Sequence, residues 1–245
     1  MQGQTFRPKE IIVVDDGSVD DTRLVLEKLG GQEIRYFRTS RRGANHARNV
    51  GAEAASSEWL AFQDSDDYWS PDKLETQIAA LLGHSTDDII ACFSQVIEHC
   101  DYRVRIFPLT RPHSDQFVFR PDIIQSSGIL KHNLVSTQTL MVRTATFRTL
   151  GGFDERLPRF QDWEMAIRLM LTGNVLYLPT PLAVAEKGFD SITRNFQAGI
   201  IARQLIYNRY KDRYSPLQQA RSVAGLLTRR LYYSARSKWN SRHDA

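Results

Sequence analysis

Apolar and polar positions alternate along the first eighty residues in a way that predicts strands and helices in turn. The β-branched run at 10–14 ends in the turn-forming sequence DDGSVDDT, and an amphipathic stretch follows it. Repetition of this unit is typical of a parallel sheet with helices on its faces. The predicted elements are strands at 10–14, 33–38 and 59–63, and helices at 21–29, at 44–55 and from Pro71, with Ser70 as the cap.

The pattern becomes less regular after residue 87. Apolar runs predict strands at 89–97, 102–107 and 137–143, and an amphipathic stretch predicts a helix at 162–171. The sequence contains no internal repeat and no low-complexity segment. We therefore expect one α/β domain over residues 1–194, followed by a helical basic tail over 195–245.

Composition narrows the class of protein. The chain has 245 residues, of which 42% are hydrophobic, so it can bury a substantial core. No apolar run approaches the roughly 18 to 20 residues that a membrane span needs. Cys92 and Cys100 lack a metal-finger spacing, which favours reduced thiols in a cytoplasmic protein.

Two acidic clusters directly follow predicted strands. Asp15 and Asp16 follow IIVV, and Asp64 and Asp66 follow the run WLAF, one residue further on. Because ligands of open parallel sheets bind at the carboxyl ends of the strands, these carboxylates are expected at one edge. A divalent cation with phosphate oxygens would offset their repulsion, whereas the alternative is that both clusters are ordinary turns.

Several longer segments carry a family resemblance. QTFRPKEIIVVDDGSVDDT, RRGANHARNVGAEAASSEWLAFQDSDDYWSPDKLETQ, LMVRTATFRTLGGFDERL and FQDWEMAIRLMLTG occur in this order over most of residues 4–173. Together they resemble family 2 glycosyltransferases. That resemblance implies a GT-A fold, which is a Rossmann-like, mostly parallel sheet flanked by helices. It also implies inverting, metal-dependent transfer of a sugar from a nucleotide donor, with a UDP-sugar as the expected donor, to a hydroxyl of a glycan or lipid-linked glycan.

The resemblance assigns donor-side roles to the acidic clusters. Asp15 or Asp16 would accept hydrogen bonds from the nucleotide, and Asp64 and Asp66 would form a DxD pair that meets the ribose and a Mn²⁺ or Mg²⁺ ion. Arg42 and Arg48 either pair with the diphosphate or brace the acidic edge; a solvated helix face is the alternative. An accessory protein that binds without catalysing, and a nucleotidyltransferase, remain alternative functions.

Asp162 is the candidate catalytic base that the resemblance implies, since an acidic residue at this point deprotonates the acceptor hydroxyl in the family. The alternative is that Asp162 only stabilises the start of its helix. Glu164 is a second candidate base, but residues two apart on a helix do not share a face.

The basic charge is concentrated in the tail. Residues 1–200 carry a net charge of −4, whereas residues 201–245 hold 10 Lys plus Arg against 2 Asp plus Glu. Apolar residues from Leu217 to Ala235 recur every three or four positions, which predicts an amphipathic basic helix. Such a helix packs on protein or lies on the inner face of an anionic membrane, and packing is the commoner outcome. No motif for binding nucleic acid accompanies it.

The N-terminal segment of this chain differs from that of the family it resembles. Members place a strand, a nucleotide-binding turn and a helix before the QTF-like step, which here already occupies residues 4–6. We therefore expect that one βα unit is missing beside the strand at 10–14, and that the chain as given is weakly stable and weakly active. The sequence does not identify the donor sugar or the acceptor. The residues that would bind the acceptor lie after about residue 85, where the motifs are weakest.

Overall fold

The computed structural model describes residues 1–29, 34–84, 88–100, 103–108, 116–123, 128–187 and 195–240. Its strands are β1 (Ile11–Asp15), β2 (Ile34–Arg38), β3 (Trp59–Ala61), β4 (Asp67–Trp69), β5 (Ile89–Cys100), β6 (Arg103–Phe107), β7 (Phe117–Phe119), β8 (Met141–Arg143) and β9 (Asn174–Lys187). Its helices are α1 (Thr22–Leu29), α2 (Ala44–Ala54), α3 (Lys73–Gly83), α4 (Thr144–Thr149), α5 (Gln161–Thr172), α6 (Phe196–Tyr210) and α7 (Pro216–Asn240).

Most of the predicted elements are present within one or two residues of their expected bounds. The first residues of the strands predicted at 33–38 and 102–107 lie outside the described residues, and the remainder form β2 and β6. The strand predicted at 137–143 is wrong over its first half, because Thr137–Thr139 form a 3-10 turn before β8 begins. Sequence patterns missed β4, β7, α4 and the long strand β9.

The predicted start of α3 is also wrong. The helix begins at Lys73, and the Ser70 hydroxyl forms no hydrogen bond within the described residues. The distant N-terminal segment supplies the missing acceptor, because the Gln4 Oε1 accepts from the Leu74 amide at 3.0 Å. Gln4 also donates to the Ser70 carbonyl at 2.7 Å, so this buried amide ties residues 1–10 to α3.

The strands pair into a mixed arrangement. β1 and β2 form a parallel pair, while the second sheet has the order β3-β8-β5-β9-β4, with β6 beside β5 and β7 beside β9. Within the described strands, β5–β9 is the other parallel pairing and the rest are antiparallel. The α/β class is confirmed, but the sheet is mixed rather than mostly parallel. The short connection from β5 to β6, for example, can only return antiparallel.

Successive side chains along the strands of the second sheet point to opposite faces, so the sheet separates two hydrophobic cores. Phe93 and Tyr177 point into the larger core, which α5 and α6 cover, whereas Cys92 and Leu176 point into the core under α3. This period of two is what a sheet covered on both faces requires. The thiol of Cys92 is free and buried.

Helix α6 belongs to the larger core. Its residues Ala202, Ile206 and Tyr210 are buried in the same cluster as Trp163 of α5. The division into two domains at residue 195 stays a prediction, but the helix that begins there packs against the first domain.

The apolar stripe of α7 faces away from the domain. Leu217, Leu227 and Leu231 are 54 to 72% exposed, and the buried leucine of this helix is Leu226, on its opposite side. The expectation that the stripe packs on this domain is therefore wrong, whereas packing on a second subunit stays a prediction. No helix in the described part of the chain is long and apolar enough to cross a membrane.

β1 and β3 each have one edge without a partner strand among the described residues. β1 pairs with β2 and β3 pairs with β8, and the residues of both strands line one open cleft. The backbone groups along such edges need water or another partner. The expectation of a missing βα unit stays a prediction.

Candidate active site

One cleft of about 1940 Å³ collects most of the residues that the sequence predicts as functional. It runs along β1 and β3 and past their carboxyl ends, and the start of α5 forms another part of its wall. Arg42 does not line it. The predicted residues that do are Asp15, Asp16, Arg48, Asp64, Asp66 and Asp162.

Asp15 ends β1 and is held by protein donors. Its carboxylate accepts from the Tyr36 hydroxyl and from the Ser18 amide, both at 2.7 Å, and its side chain is 1% exposed. The hydrogen bond from Tyr36, the bonds from Ser18 and the Arg38 charge together lower the pKa of Asp15 to about 2. Asp15 is therefore an ionised anchor that joins β1 to β2.

Asp16 organises the turn at the mouth of the cleft. Its carboxylate accepts from the Thr39 hydroxyl at 2.6 Å and from the amides of Arg42 and Gly43 at 2.9 and 2.6 Å. Burial opposes the charge, but these hydrogen bonds keep the pKa of Asp16 below its ordinary value. A carboxylate has about four acceptor positions, so Asp16 keeps capacity for a ligand donor.

Arg42 contributes its backbone to this turn and directs its side chain elsewhere. Its guanidinium lies 3.2 Å from a Glu155 oxygen, and His46 Nδ1 lies 3.0 Å from the other oxygen of Glu155. The hydrogen bond with His46 is the main interaction that lowers the pKa of Glu155. The structure therefore does not bring the Arg42 guanidinium to the donor-side residues, and its direct contact with a diphosphate stays a prediction.

Arg48 and Asp64 form an ion pair across the cleft wall. Both the Nε and the Nη2 of Arg48 donate to Asp64 Oδ1, at 3.2 and 2.5 Å. The Arg48 side chain is 13% exposed, and its guanidinium lies 5.9 Å from the centre of the Phe153 ring. Of the two roles that the sequence left open, this geometry shows the bracing of the acidic edge.

Asp67 and Gln138 lie further inside the cleft, next to Asp64 and Asp66, and the three carboxylates form its acidic edge. The Gln138 amide donates to Asp67 and lies 3.4 Å from the second oxygen of Asp64. Burial, assisted by the charges of Asp64 and Asp66, raises the pKa of Asp67 to about 6 despite the hydrogen bond from Gln138. Three neighbouring carboxylates thus repel one another at this edge.

The described residues fit a divalent cation through one carboxylate. Asp66 is exposed and makes no hydrogen bond or ion pair within the described part of the chain, so its oxygens are available. Asp64, by contrast, is already balanced by Arg48. No group of three or more His, Cys, Asp or Glu side chains among the described residues is arranged to hold a metal ion. A cation here would therefore need ligand phosphate oxygens and water as well as Asp66.

Asp162 lies in the first turn of α5, two residues after a turn residue of unusual conformation. Phe160 precedes the helix with a φ of 64°, and Asp162 Oδ1 accepts from Asn133 Nδ2 at 3.1 Å and from the Trp163 amide at 2.8 Å. The carboxylate is half-buried and lines the cleft. It can stabilise the helix start electrostatically, so the cap and base interpretations are compatible in this geometry.

Glu164 does not face the cleft. It is fully buried and accepts hydrogen bonds from Arg168, Arg209 and Tyr210, the last at 2.8 Å. These partners connect α5 to α6. Glu164 is therefore a structural anchor, and its interpretation as a second candidate base is wrong.

Sequence reasoning missed several residues of the cleft. Asn133 lies in an irregular connection, Gln138 lies in the 3-10 turn that replaces the first half of a predicted strand, and Arg159 and Arg203 come from a loop and from α6. No local signal marks them, because their side chains meet the site only through tertiary packing. Residues 188–194, which join β9 to α6, lie outside the described residues.

Comparisons with known proteins indicate the family and the fold of the chain. Residues 1–146 match the sequence profile described as glycosyl transferase family 2. An uncharacterized glycosyltransferase of Rickettsia typhi is 28% identical over 193 residues, which cover 78% of this chain and 58% of that protein. The chain spans only about half to three-fifths of the length of such curated relatives.

One relative with a described reaction matches over a shorter stretch. The UDP-Glc:alpha-D-GlcNAc-diphosphoundecaprenol beta-1,3-glucosyltransferase WfaP of Escherichia coli is 40% identical over 76 residues, covering 31% of this chain and 30% of that protein.

Solved structures show the same fold. TarS of Staphylococcus aureus, crystallised in complex with UDP, superposes with a TM-score of 0.61 at 22% identity, covering 90% of this chain and 61% of that one. The family profile covers more than half of the chain and the fold is of the GT-A type. The chain therefore belongs to glycosyl transferase family 2.

Proposed function

We propose that this protein is an inverting, metal-dependent glycosyltransferase that moves a sugar from a UDP-sugar to a hydroxyl of a lipid-linked glycan. The observation that carries the proposal is the cleft. It brings the DxD carboxylates Asp64 and Asp66 together with Asp162, about a hundred positions away in the sequence. A donor-binding edge and a candidate base thus line a single space.

The donor would lie along the ends of β1 and β3. Asp16 has acceptor capacity at the cleft mouth, whereas the Asp15 side chain is almost fully buried and acts through the turn. Arg48 holds Asp64 in place, so this carboxylate is fixed for hydrogen bonding with a ribose hydroxyl. The UDP bound to TarS supports a uridine nucleotide as the donor.

Asp66 would hold the Mn²⁺ or Mg²⁺ ion together with oxygens of the diphosphate. When bound, the cation supplies neutralisation of the negative charge on the departing diphosphate. The exposed position of Asp66 and the mutual repulsion of the acidic edge support this assignment.

Asp162 would act on the acceptor. The acceptor hydroxyl oxygen attacks the anomeric carbon, the bond from that carbon to the diphosphate oxygen breaks, and its electron pair leaves with the diphosphate. The hydroxyl proton moves to the Asp162 carboxylate. Attack opposite the leaving group inverts the anomeric centre, and Asn133 orients the base by its hydrogen bond at 3.1 Å.

The acceptor class rests on the relatives and on the surface of α7. WfaP acts on a sugar linked to a lipid through a diphosphate, as its name states. In this chain α7 holds no acidic residue and exposes leucines at 217, 227 and 231, which suits contact with an anionic membrane surface. We place the enzyme at the cytoplasmic face of a membrane on these grounds.

The proposal is tested by incubating the protein with a panel of nucleotide sugars, Mn²⁺ and a diphosphate-linked sugar acceptor, and measuring release of nucleoside diphosphate. Asp162→Asn should keep UDP binding and lose transfer by about 10²-fold or more, since the amide cannot take the proton. Asp212→Asn, at an exposed position after α6, is the matched control.

Three results would contradict the proposal. Release of pyrophosphate instead of nucleoside diphosphate would indicate nucleotidyl transfer. Normal turnover in Asp162→Asn with a lowered melting temperature would leave only the helix-stabilising role. Unchanged Mn²⁺-dependent UDP affinity in Asp66→Ala, measured by calorimetry, would remove Asp66 from the metal site.

A further inference from the structure

Two arginines near Asp162 form no ion pair with any acidic side chain that the structure describes, although the Asp162 charge acts on Arg159 from a distance. Arg159 precedes α5 and Arg203 lies in α6, and both line the cleft. Neither forms an ion pair or a hydrogen bond within the described residues; each instead lies over an aromatic ring. The guanidinium carbons of both are 4.6 Å from the centre of the Phe160 ring, and that of Arg203 is 5.1 Å from the centre of Trp163.

Burial of these cations is costly in the absence of an anion. Desolvation lowers the pKa of Arg159 even though the Asp162 charge opposes the shift, and desolvation together with the charges of Arg229 and Arg159 lowers the pKa of Arg203 to about 10. Buried charges in proteins are normally paired. Most other partly buried arginines here follow that rule, as Arg168 and Arg209 do with Glu164.

The packing around Arg159 holds its guanidinium in place. Helix α6 approaches it at Gly199, where a Cβ atom would come within 3.1 Å of Arg159 Nη1. Phe160 has the left-handed φ of 64°, and its ring contacts both guanidinium groups. The two cations are thus neighbours on one ring, next to the start of α5.

We propose that Arg159 and Arg203 bind a phosphate or diphosphate group of the acceptor. Planar guanidinium groups match phosphoryl oxygens in pairs. The location favours the acceptor over the donor, because these arginines adjoin Asp162, whereas Arg48, Asp64 and Asp66 lie at the donor edge. The acceptor part of this inference rests on the function proposed above; the anion site itself does not.

The first experiment measures binding without catalysis. Inorganic pyrophosphate is titrated calorimetrically into the full chain in EDTA, so that a metal-bound donor site does not contribute. We expect Arg159→Met and Arg203→Met each to weaken binding by about tenfold or more, and Arg203→Lys to weaken it less. Arg221→Met, at an exposed position of α7, is the control and should bind as the wild type does.

The second experiment identifies which substrate uses the site. Michaelis constants are compared for a diphosphate-linked sugar acceptor, for the same sugar on a neutral aglycone, and for the UDP-sugar donor. The variants should raise only the first constant. A rise in the donor constant, or equal effects on both acceptors, would overturn the assignment to the acceptor.

Thermal stability separates a ligand site from a structural role. Removal of an unpaired, desolvated charge should leave the melting temperature of Arg203→Met unchanged or raised. A lowered melting temperature with unchanged pyrophosphate affinity would overturn the inference, as would a wild type that binds no pyrophosphate. If the wild type binds pyrophosphate but transfers no sugar, the proposed function fails and the anion site remains.

Discussion

Glu164 provides a sharp test of how α5 and α6 are held together. Its side chain is 1% exposed, and its two oxygens accept five hydrogen bonds from Arg168, Arg209 and Tyr210 at 2.5 to 3.0 Å. Arg209 also reaches Asp154 at 2.5 Å, and the Glu164 charge contributes, after desolvation, to raising the pKa of Tyr210.

The substitution Glu164→Gln keeps the shape and removes the charge. It leaves two guanidinium groups facing an amide that can donate as well as accept. Breaking a buried ion pair from one side typically costs about 3 to 5 kcal/mol. For a chain of this size each kcal/mol shifts the melting temperature by roughly 2 to 4 °C, so a fall of about 6 to 20 °C is expected.

The assay is urea unfolding and thermal melting followed by circular dichroism. Glu27→Gln is the matched control, since its pair with Arg23 is between 57 and 68% exposed and should contribute under about 0.5 kcal/mol. A loss of less than about 1 kcal/mol in Glu164→Gln would refute the anchor role. Lost transfer with unchanged stability would instead restore Glu164 as a base.

Three further predictions concern other parts of the chain. Lys73 is fully buried, and burial lowers its pKa to about 7, whereas the unfolded chain keeps this proton up to about pH 10.4. The free energy of unfolding of the wild type relative to Lys73→Met should therefore rise from pH 7 to pH 9.5. A pH-independent difference in urea unfolding would contradict this. Amide hydrogen exchange should be faster in β1 than in β5, which has partners on both edges, and equal protection would show that something covers the open edge of β1. The full chain should sediment with anionic vesicles at low salt and be released as salt increases, and Leu227→Ser with Leu231→Ser should reduce this; equal sedimentation with neutral vesicles would count against membrane contact through α7.

The long strand β9 shows why sequence patterns miss some central elements. It pairs with β4, β5 and β7, yet it contains Pro179 and Pro181, which usually argue against a central strand. The pairing with β5 shifts register between Ser94 and Val96, so residues 179 and 180 lie outside the ladder. Local rules could not predict this, because the irregularity is accommodated by the partner strand.

The sequence by itself determined the α/β alternation of the first eighty residues and the placement of carboxylates after β1 and β3. These features follow from local periodicity and turn chemistry, which are properties of adjacent residues. It also indicated Asp162 at the start of a helix, through resemblance to a family whose membership the profile match confirms.

Only the tertiary structure decided what surrounds each charge. Arg48 neutralises Asp64, Glu164 is buried among cations, and Arg159 and Arg203 are left with aromatic rings as neighbours. The structure likewise shows that the apolar stripe of α7 is exposed and that β1 and β3 lie in different sheets. The physical reason is that burial and pairing depend on residues tens of positions apart, whose distances are fixed only when helices and strands pack together.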